Sequence, residues 1–320
     1  MEGNRWRKMR ALMFMLLSTA YFAAVFQRYS LGVVTEELSR ELNVGTVELG
    51  LMSSAYFMAC AASQPLIGVL ADRFSPLIMV AGCLGVGAIG TWVFAEARSI
   101  SMAFLGRIVI GVGLSGVFVP GVKAIGMAYG ADKFASANGV FIAIGNAGSV
   151  LGTAIVVWLI SMIGWRSSFV AVGAALICLT VLCWAVDRAG RSTMERCAGN
   201  DAARVEGPSL ESVRGGPAVF LRDRNLWLVN LFMFLRFGSQ AAFQGVWGVP
   251  YIMSVYGETR ERAAISVMMI GLGYIVGSPI AGYLADRITK TRGSTFAARR
   301  IVLAVTTVDP LARQVRPLGP

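Results

Sequence analysis

The chain has 320 residues, 56% of them hydrophobic and 15% charged, with a mean hydropathy of +0.64. Soluble domains hold about 45–50% apolar and about 25% charged residues, so an ordinary water-soluble domain is excluded. The net charge of +11 does not mark a nucleic-acid binder, because the basic residues stand between apolar blocks, where they set topology.

The first apolar block, about 11–33, follows Arg5, Arg7, Lys8 and Arg10. It outruns the apolar core of a signal peptide and lacks a small-residue exit, so it reads as a first membrane span. Further blocks cover about 46–70, 77–96, 102–125, 136–161, 166–186, 225–250 and 263–285. Each is long enough to cross roughly 30 Å of hydrocarbon at about 1.5 Å per residue, giving eight expected spans. The stretch 187–224 carries Arg188, Arg191, Arg196, Arg204, Arg214, Arg222 and Arg224 without apolar periodicity, and reads as a loop or amphipathic linker. After Arg300 only Ile301–Thr307 is apolar, which is too short to span. The expected organisation is a six-helix bundle over 1–186, a central loop over 187–224, two further helices over 225–295 and a non-spanning tail over 296–320.

Lys and Arg concentrate in the N-terminus, the central loop and 287–300, while the alternate loops hold few. The positive-inside pattern places the N-terminus and central loop in the cytoplasm, in an inner (plasma) membrane. The chain also repeats itself. Span two ends Gln64-Pro65-Leu66-Ile67-Gly68-Val69-Leu70-Ala71-Asp72-Arg73, and span eight ends Ser278-Pro279-Ile280-Ala281-Gly282-Tyr283-Leu284-Ala285-Asp286-Arg287. Two related halves with a solute path between them follow from such a repeat.

These residues resemble the major facilitator superfamily. The Gly-x-Leu-x-Asp-Arg string ends spans two and eight, and Arg107 in Leu105-Gly106-Arg107-Ile108-Val109-Ile110-Gly111-Val112-Gly113 matches the family's fourth-helix motif. The resemblance covers about 1–295 and implies an all-α membrane protein, with a complete six-helix N-terminal bundle and an incomplete C-terminal one. The family has twelve spans, so a truncated or frameshifted reading frame is expected. Phe74-Ser75-Pro76-Leu77 lacks the basic tail of the first loop motif, and Gly145–Gly152 lacks the Gly-Pro pair of proton-coupled drug exporters. The setting Phe234-Leu235-Arg236-Phe237-Gly238 resembles the seventh helix of the organophosphate:phosphate antiporters, whose fifth-helix histidine falls at Gly145 here. The segment Phe243–Tyr251 resembles sugar-phosphate-permease-like and lysosomal dipeptide-transporter-like branches.

Ionisable residues at membrane depth are functional candidates by default. Here they are Arg28, Arg107, Lys123 and Arg236, while only Glu96 among the acids comes close to a span interior. Cation-only decoration suits an anion carrier, since guanidinium donors match carboxylate or phosphate in pairs. Arg28 and Arg236 open the two halves and are the expected anion contacts; the resemblance gives such arginines a substrate-holding role. Arg28 lies about 25 Å along its helix, so snorkelling to the interface is the alternative. Gln240 and Gln244 share a helix face with Arg236, Tyr21 shares one with Arg28, and Asn146 is polar inside span five. All four are expected solute contacts, with interhelical hydrogen bonding as the alternative.

Gly68, Asp72, Arg73, Arg107, Gly282, Asp286 and Arg287 form the expected gating set. In it a carboxylate sits near a helix N-terminus and an arginine pairs across the halves; topology anchoring is the alternative. Lys123 is expected to anchor the cytoplasmic surface. No cofactor, metal or enzymatic activity is expected: histidine is absent, and Cys60, Cys83, Cys178, Cys183 and Cys197 form no CxxC pair. The expected function is a monomeric alternating-access carrier, with the bilayer and a small organic anion (sugar phosphate, carboxylate or similar) as its partners. Exchange or facilitated flow is expected over proton coupling. A non-transporting receptor or relic, and a dipeptide or drug-like solute, are the alternatives.

Overall fold

The computed structural model describes residues 2–201, 224–243 and 248–292, and every regular element among them is helical. In chain order these are α1 (Glu2–Tyr29), α2 (Thr35–Leu42), α3 (Thr46–Arg73), α4 (Pro76–Ala95), α5 (Ile100–Leu114), α6 (Phe118–Ala147), α7 (Thr153–Ile163), α8 (Trp165–Asp201), α9 (Arg224–Ala242), α10 (Gly248–Tyr256) and α11 (Arg260–Arg292).

The starts of these helices follow from their sequences. Ser75 caps α4, accepting from the Ile78 amide at 3.4 Å, with Pro76 at the first helical position, where a missing N–H costs nothing. Ser99 caps α5 through the Met102 amide at 3.3 Å. Inside α6, Gly130 adopts φ 63° and ψ −180°, which a side chain would resist, and the helix breaks there. The residues before it complete a span begun by α5, and those after it begin the next. That fifth span passes through a π turn at Gly148–Gly152 before becoming α7.

Among the described residues, seven stretches are long and apolar enough to cross a membrane: Arg7–Gly32, Thr46–Arg73, Pro76–Ala95, Ile100–Gly130, Lys133–Ile163, Trp165–Gly190 and Ile265–Thr289. They match seven of the eight expected blocks. The expected span over 225–250 is different, because its apolar helical part is only Leu226–Ser239. Pro250 lies in the first turn of α10, where it is compatible with a new helix and not with the continuation of α9. Helix α8 also runs on to Asp201, into the stretch read as a loop or linker. Residues 187–201 hold no proline and include the helix formers Ala189, Arg191, Met194 and Glu195.

The described chain divides into two compact units, one of residues 2–197 with 275–292, the other of residues 198–201, 224–243 and 248–274. In the first unit α4 packs on α5, α1 on α6, and α3 on α5. Small residues set the α4–α5 spacing. A Cβ on Gly106 would stand 2.7 Å from the Phe94 backbone nitrogen, and one on Gly90 would stand 2.6 Å from that of Ile110. Membrane helices associate by such close packing, since lipid is as apolar as the helix surface. Backbone atoms cannot yield as a flexible side chain would, so Gly106→Val is expected to lower stability by about 1–3 kcal/mol. A drop of the melting temperature in detergent by several degrees checks this; an unchanged melt contradicts it. Met58, Trp158 and Met162 face outward, as a lipid-contacting surface allows.

A polar clasp ties the ends of α2, α4 and α8. Glu41 accepts from Trp165 Nε1 at 2.8 Å and from Arg166 Nη2 at 2.8 Å, while Arg166 also donates to the carbonyls of Ala95 at 2.7 Å and Ala97 at 2.8 Å. The Trp165 hydrogen bond, then Arg166, hold the Glu41 carboxyl below the usual carboxylate range. A depressed folded-state value means the contribution is present above the unfolded value of about 4.3 and lost as pH falls through the lower one. Glu41→Gln is therefore expected to melt below the wild type at neutral pH, with the gap closing in acid below about pH 4. A gap that widens in acid contradicts the assignment.

In the second unit, Phe243 and Tyr251 meet edge to face at 6.3 Å, and a Cβ on Gly248 would stand 2.8 Å from Val267.

Candidate functional site

Arg107 stands halfway along α5 and is 0% exposed. Its Nη1 donates to the Gln27 carbonyl of α1 at 3.0 Å, and its guanidinium lies over the Tyr56 ring of α3 at 4.6 Å. Nε and Nη2 have no hydrogen-bond partner among the described residues. Gln27, also 0% exposed, is itself fixed: its Nε2 donates to Thr91 Oγ1 of α4 at 2.7 Å, and its Oε1 accepts from Ser30 Oγ at 3.0 Å. Four elements thus meet on one neutral network around one buried cation.

Arg28 is in the last turn of α1, mostly buried, with its Nε unpartnered among the described residues. Tyr56, whose ring Arg107 covers, is followed one turn further along α3 by Cys60. Cys60 donates to the Gly111 carbonyl at 3.2 Å, and Ser63 and Ser115 share a hydrogen bond of 2.8 Å, so the α3–α5 seam is polar over the last turn of α5. Tyr21 stacks on Phe141 at 4.8 Å and packs against Phe118 at 5.1 Å. Any side chain at Gly145 would run into the Tyr21 ring, so the position of the phosphate antiporters' histidine is filled from α1. Asn146 donates to the Ile142 carbonyl at 2.9 Å, a bond inside its own helix.

Arg236 is exposed on α9 and lies over the neighbouring Phe237 ring at 5.7 Å. Gln240 belongs to α9, but its side chain, like all of Gln244, lies outside the described residues. Arg28, Tyr56 and Arg107 thus belong to the first unit, while Arg236 belongs to the other.

The gating candidates divide. Asp286 of α11 is 9% exposed and accepts from the amides of Ala135 at 3.2 Å and Ser136 at 2.8 Å, and from the Ser136 hydroxyl. It caps the first turn of the fifth span, where backbone donors and the helix dipole favour a carboxylate. Gly282 and Gly139 permit the close crossing: a Cβ on Gly282 would meet the Ser136 Cα at 3.1 Å, and one on Gly139 the Pro279 Cα at 3.2 Å. A cavity of about 650 Å³ opens beside this contact, lined by Phe14, Tyr129, Lys133, Asp286 and Arg287 among others. Asp72 is placed otherwise. Its carboxylate, 80% exposed, lies 3.5 Å from Lys123 Nζ, which donates to the Ala71 carbonyl at 2.7 Å and so caps the end of α3. Arg73 is exposed, and Gly68 has open space beside it.

Sequence reasoning missed Gln27, Tyr56, Cys60 and Thr91. Gln27 and Thr91 were visible as polar residues in apolar blocks, but nothing in the sequence linked them to each other or to Arg107.

The family model described as Major Facilitator Superfamily matches residues 17–308. Among curated relatives, the chain is 24% identical over 301 residues to the "Probable sulfoacetate transporter" of Cupriavidus necator, covering 93% of this chain and 70% of the relative. It is 27% identical over 296 residues to the "Gentisate transporter" of Corynebacterium glutamicum, covering 87% and 62%. Among solved structures it superposes on a bacterial homologue of the human lysosomal transporter Spinster with a TM-score of 0.57 at 19% identity, covering 88% of this chain and 63% of that one. The chain thus spans about two thirds of the length of these relatives.

Proposed function

The chain belongs to the major facilitator superfamily, and on that footing we propose that it serves a carrier that moves a small organic anion by alternating access. The observation that carries the reading is the charge balance of the first unit. Arg107 is buried halfway along α5 and Arg28 is mostly buried in the last turn of α1, and no Asp or Glu among the described residues pairs with either. Buried cations without acidic partners are costly, and an anionic solute is the natural complement. The names of the relatives, transporters of sulfoacetate and of gentisate, point to the same solute class. Arg28 is the proposed contact of this half and Arg236 that of the other, with Tyr21, Asn146, Gln240 and Gln244 as polar wall.

The contact of Asp286 with the fifth span is the proposed latch, closing the end that the basic loops assign to the cytoplasm. Among the described residues the network around Arg107 is built from Gln27, Thr91, Ser30 and Tyr56, and exchange or facilitated flow is the proposed coupling.

Purified chain reconstituted in vesicles preloaded with sulfoacetate or gentisate tests the reading. Counterflow of the labelled acid, insensitive to a protonophore, is expected. Uptake of an organic amine with no exchange of either acid would overturn it, and binding of an acid without exchange would favour a receptor.

A further inference from the structure

We propose that the cavity of about 650 Å³ beside Asp286 holds an anionic phospholipid of the cytoplasmic leaflet, with Arg10, Lys133 and Arg287 at its phosphate and Phe14, Val140 and Tyr283 along the start of its acyl chains. The site is separate from the solute reading, and no outcome of its test bears on Arg28.

Four apolar spans end at this cavity. Tyr129 is the last residue but one of Ile100–Gly130, Lys133 opens Lys133–Ile163, Arg287 stands near the end of Ile265–Thr289, and Arg10 lies near the start of Arg7–Gly32. The Arg10 guanidinium lies over the Tyr129 ring at 4.8 Å, and Phe14 meets the same ring edge to face at 5.7 Å. Arg10 is thus held against a wall of the cavity by cation–π attraction.

Each of three helices grades from basic to apolar across the cavity. Phe14 follows Arg10 by four residues, and Tyr283 precedes Arg287 by four. Val140 follows Lys133 by seven. At these spacings each pair shares a helix face, with the apolar member about 6 to 10 Å deeper in the membrane. Val140 and Tyr283 are exposed, so the deeper wall is open to a hydrocarbon chain. A small soluble anion would use the basic rim alone, whereas a lipid uses both levels.

The charge suits an acidic head group. Asp286 is the acid among the residues lining the cavity, and its carboxylate already accepts from the amides of Ala135 at 3.2 Å and Ser136 at 2.8 Å. Basic pockets between spans on the cytoplasmic side attract anionic lipids, while the ammonium of a zwitterionic lipid would meet the same bases unfavourably. Snorkelling alone sends each basic side chain to its own stretch of interface. It does not require Lys133 and Arg287 to line one cavity, or Arg10 to cover the ring of another lining residue.

The test uses the full chain purified in detergent, given phosphatidylglycerol and phosphatidylcholine with the same acyl chains at equal mole fraction, with bound lipids counted by native mass spectrometry. The wild type is expected to retain phosphatidylglycerol at least about fivefold over phosphatidylcholine. Arg10→Gln with Lys133→Gln is expected to bring the two within about twofold, and Arg98→Gln, a basic residue at the opposite end of the spans, to leave the preference unchanged. Ala137→Phe fills the cavity without touching a charge, and is expected to reduce retention of phosphatidylglycerol to a similar degree. Equal retention of the two lipids by the wild type, or a preference that survives Lys133→Gln and Ala137→Phe, overturns the proposal; the second result would assign the attraction to the basic loops at large. Release of the bound lipid by micromolar sn-glycerol 3-phosphate also overturns it, in favour of a site for a soluble phosphate ester.

Discussion

Arg28→Ala is expected to weaken binding of an organic acid by about 10- to 100-fold, the loss of hydrogen bonds between charged groups worth about 1.5–3 kcal/mol. The melting temperature of the ligand-free protein should change little. Its Nε is unpartnered among the described residues. Arg28→Lys retains charge without the donor fork and is expected to fall between the two. Calorimetric titration with the acid, beside a thermal melt, separates the readings. If Arg28 merely snorkels to the interface, the alanine variant binds as well as the wild type.

The second large effect concerns the latch. Asp286→Ala removes the acceptor of the Ala135 and Ser136 amides and of the Ser136 hydroxyl in one step. The capping and charge-assisted bonds lost are worth about 1.5–3 kcal/mol, so amide exchange at Ala135 and Ser136 is expected to speed by about 10- to 100-fold. Asp72→Ala is the internal control. It is the repeat-related residue, but its 80% exposed carboxylate lies beside Lys123, and its removal should leave those two amides protected. Equal exchange in Asp286→Ala and wild type, read by deuterium uptake of a peptide covering 133–140, contradicts the latch.

The contrast between Asp72 and Asp286 shows what the sequence could convey. The repeat is plain in the letters, and it implies equivalent roles for two Leu-Ala-Asp-Arg endings. The structure realises the helix-capping role at Asp286 and places Asp72 beside Lys123, a residue expected only to anchor the surface. The spans were legible because about 20 apolar residues in a row have few other uses. The block over 225–250 was less so: its apolar average hides Pro250, which lies in the first turn of α10, and the apolar helix described within it is Leu226–Ser239. Arg28 was legible as an isolated charge. The cluster around Arg107 was not, since Gln27, Tyr56 and Thr91 come from three helices and their convergence is a property of packing alone.

The most direct test of the central claim is which charge of ligand stabilises the purified chain. Thermal melts in detergent would be run with matched sets of an acid, its amide and the corresponding amine, each at equal concentration. The account predicts that acids alone raise the melting temperature, through mass action on a site carrying Arg28. Stabilisation by amines or amides, with none by any acid, would contradict it.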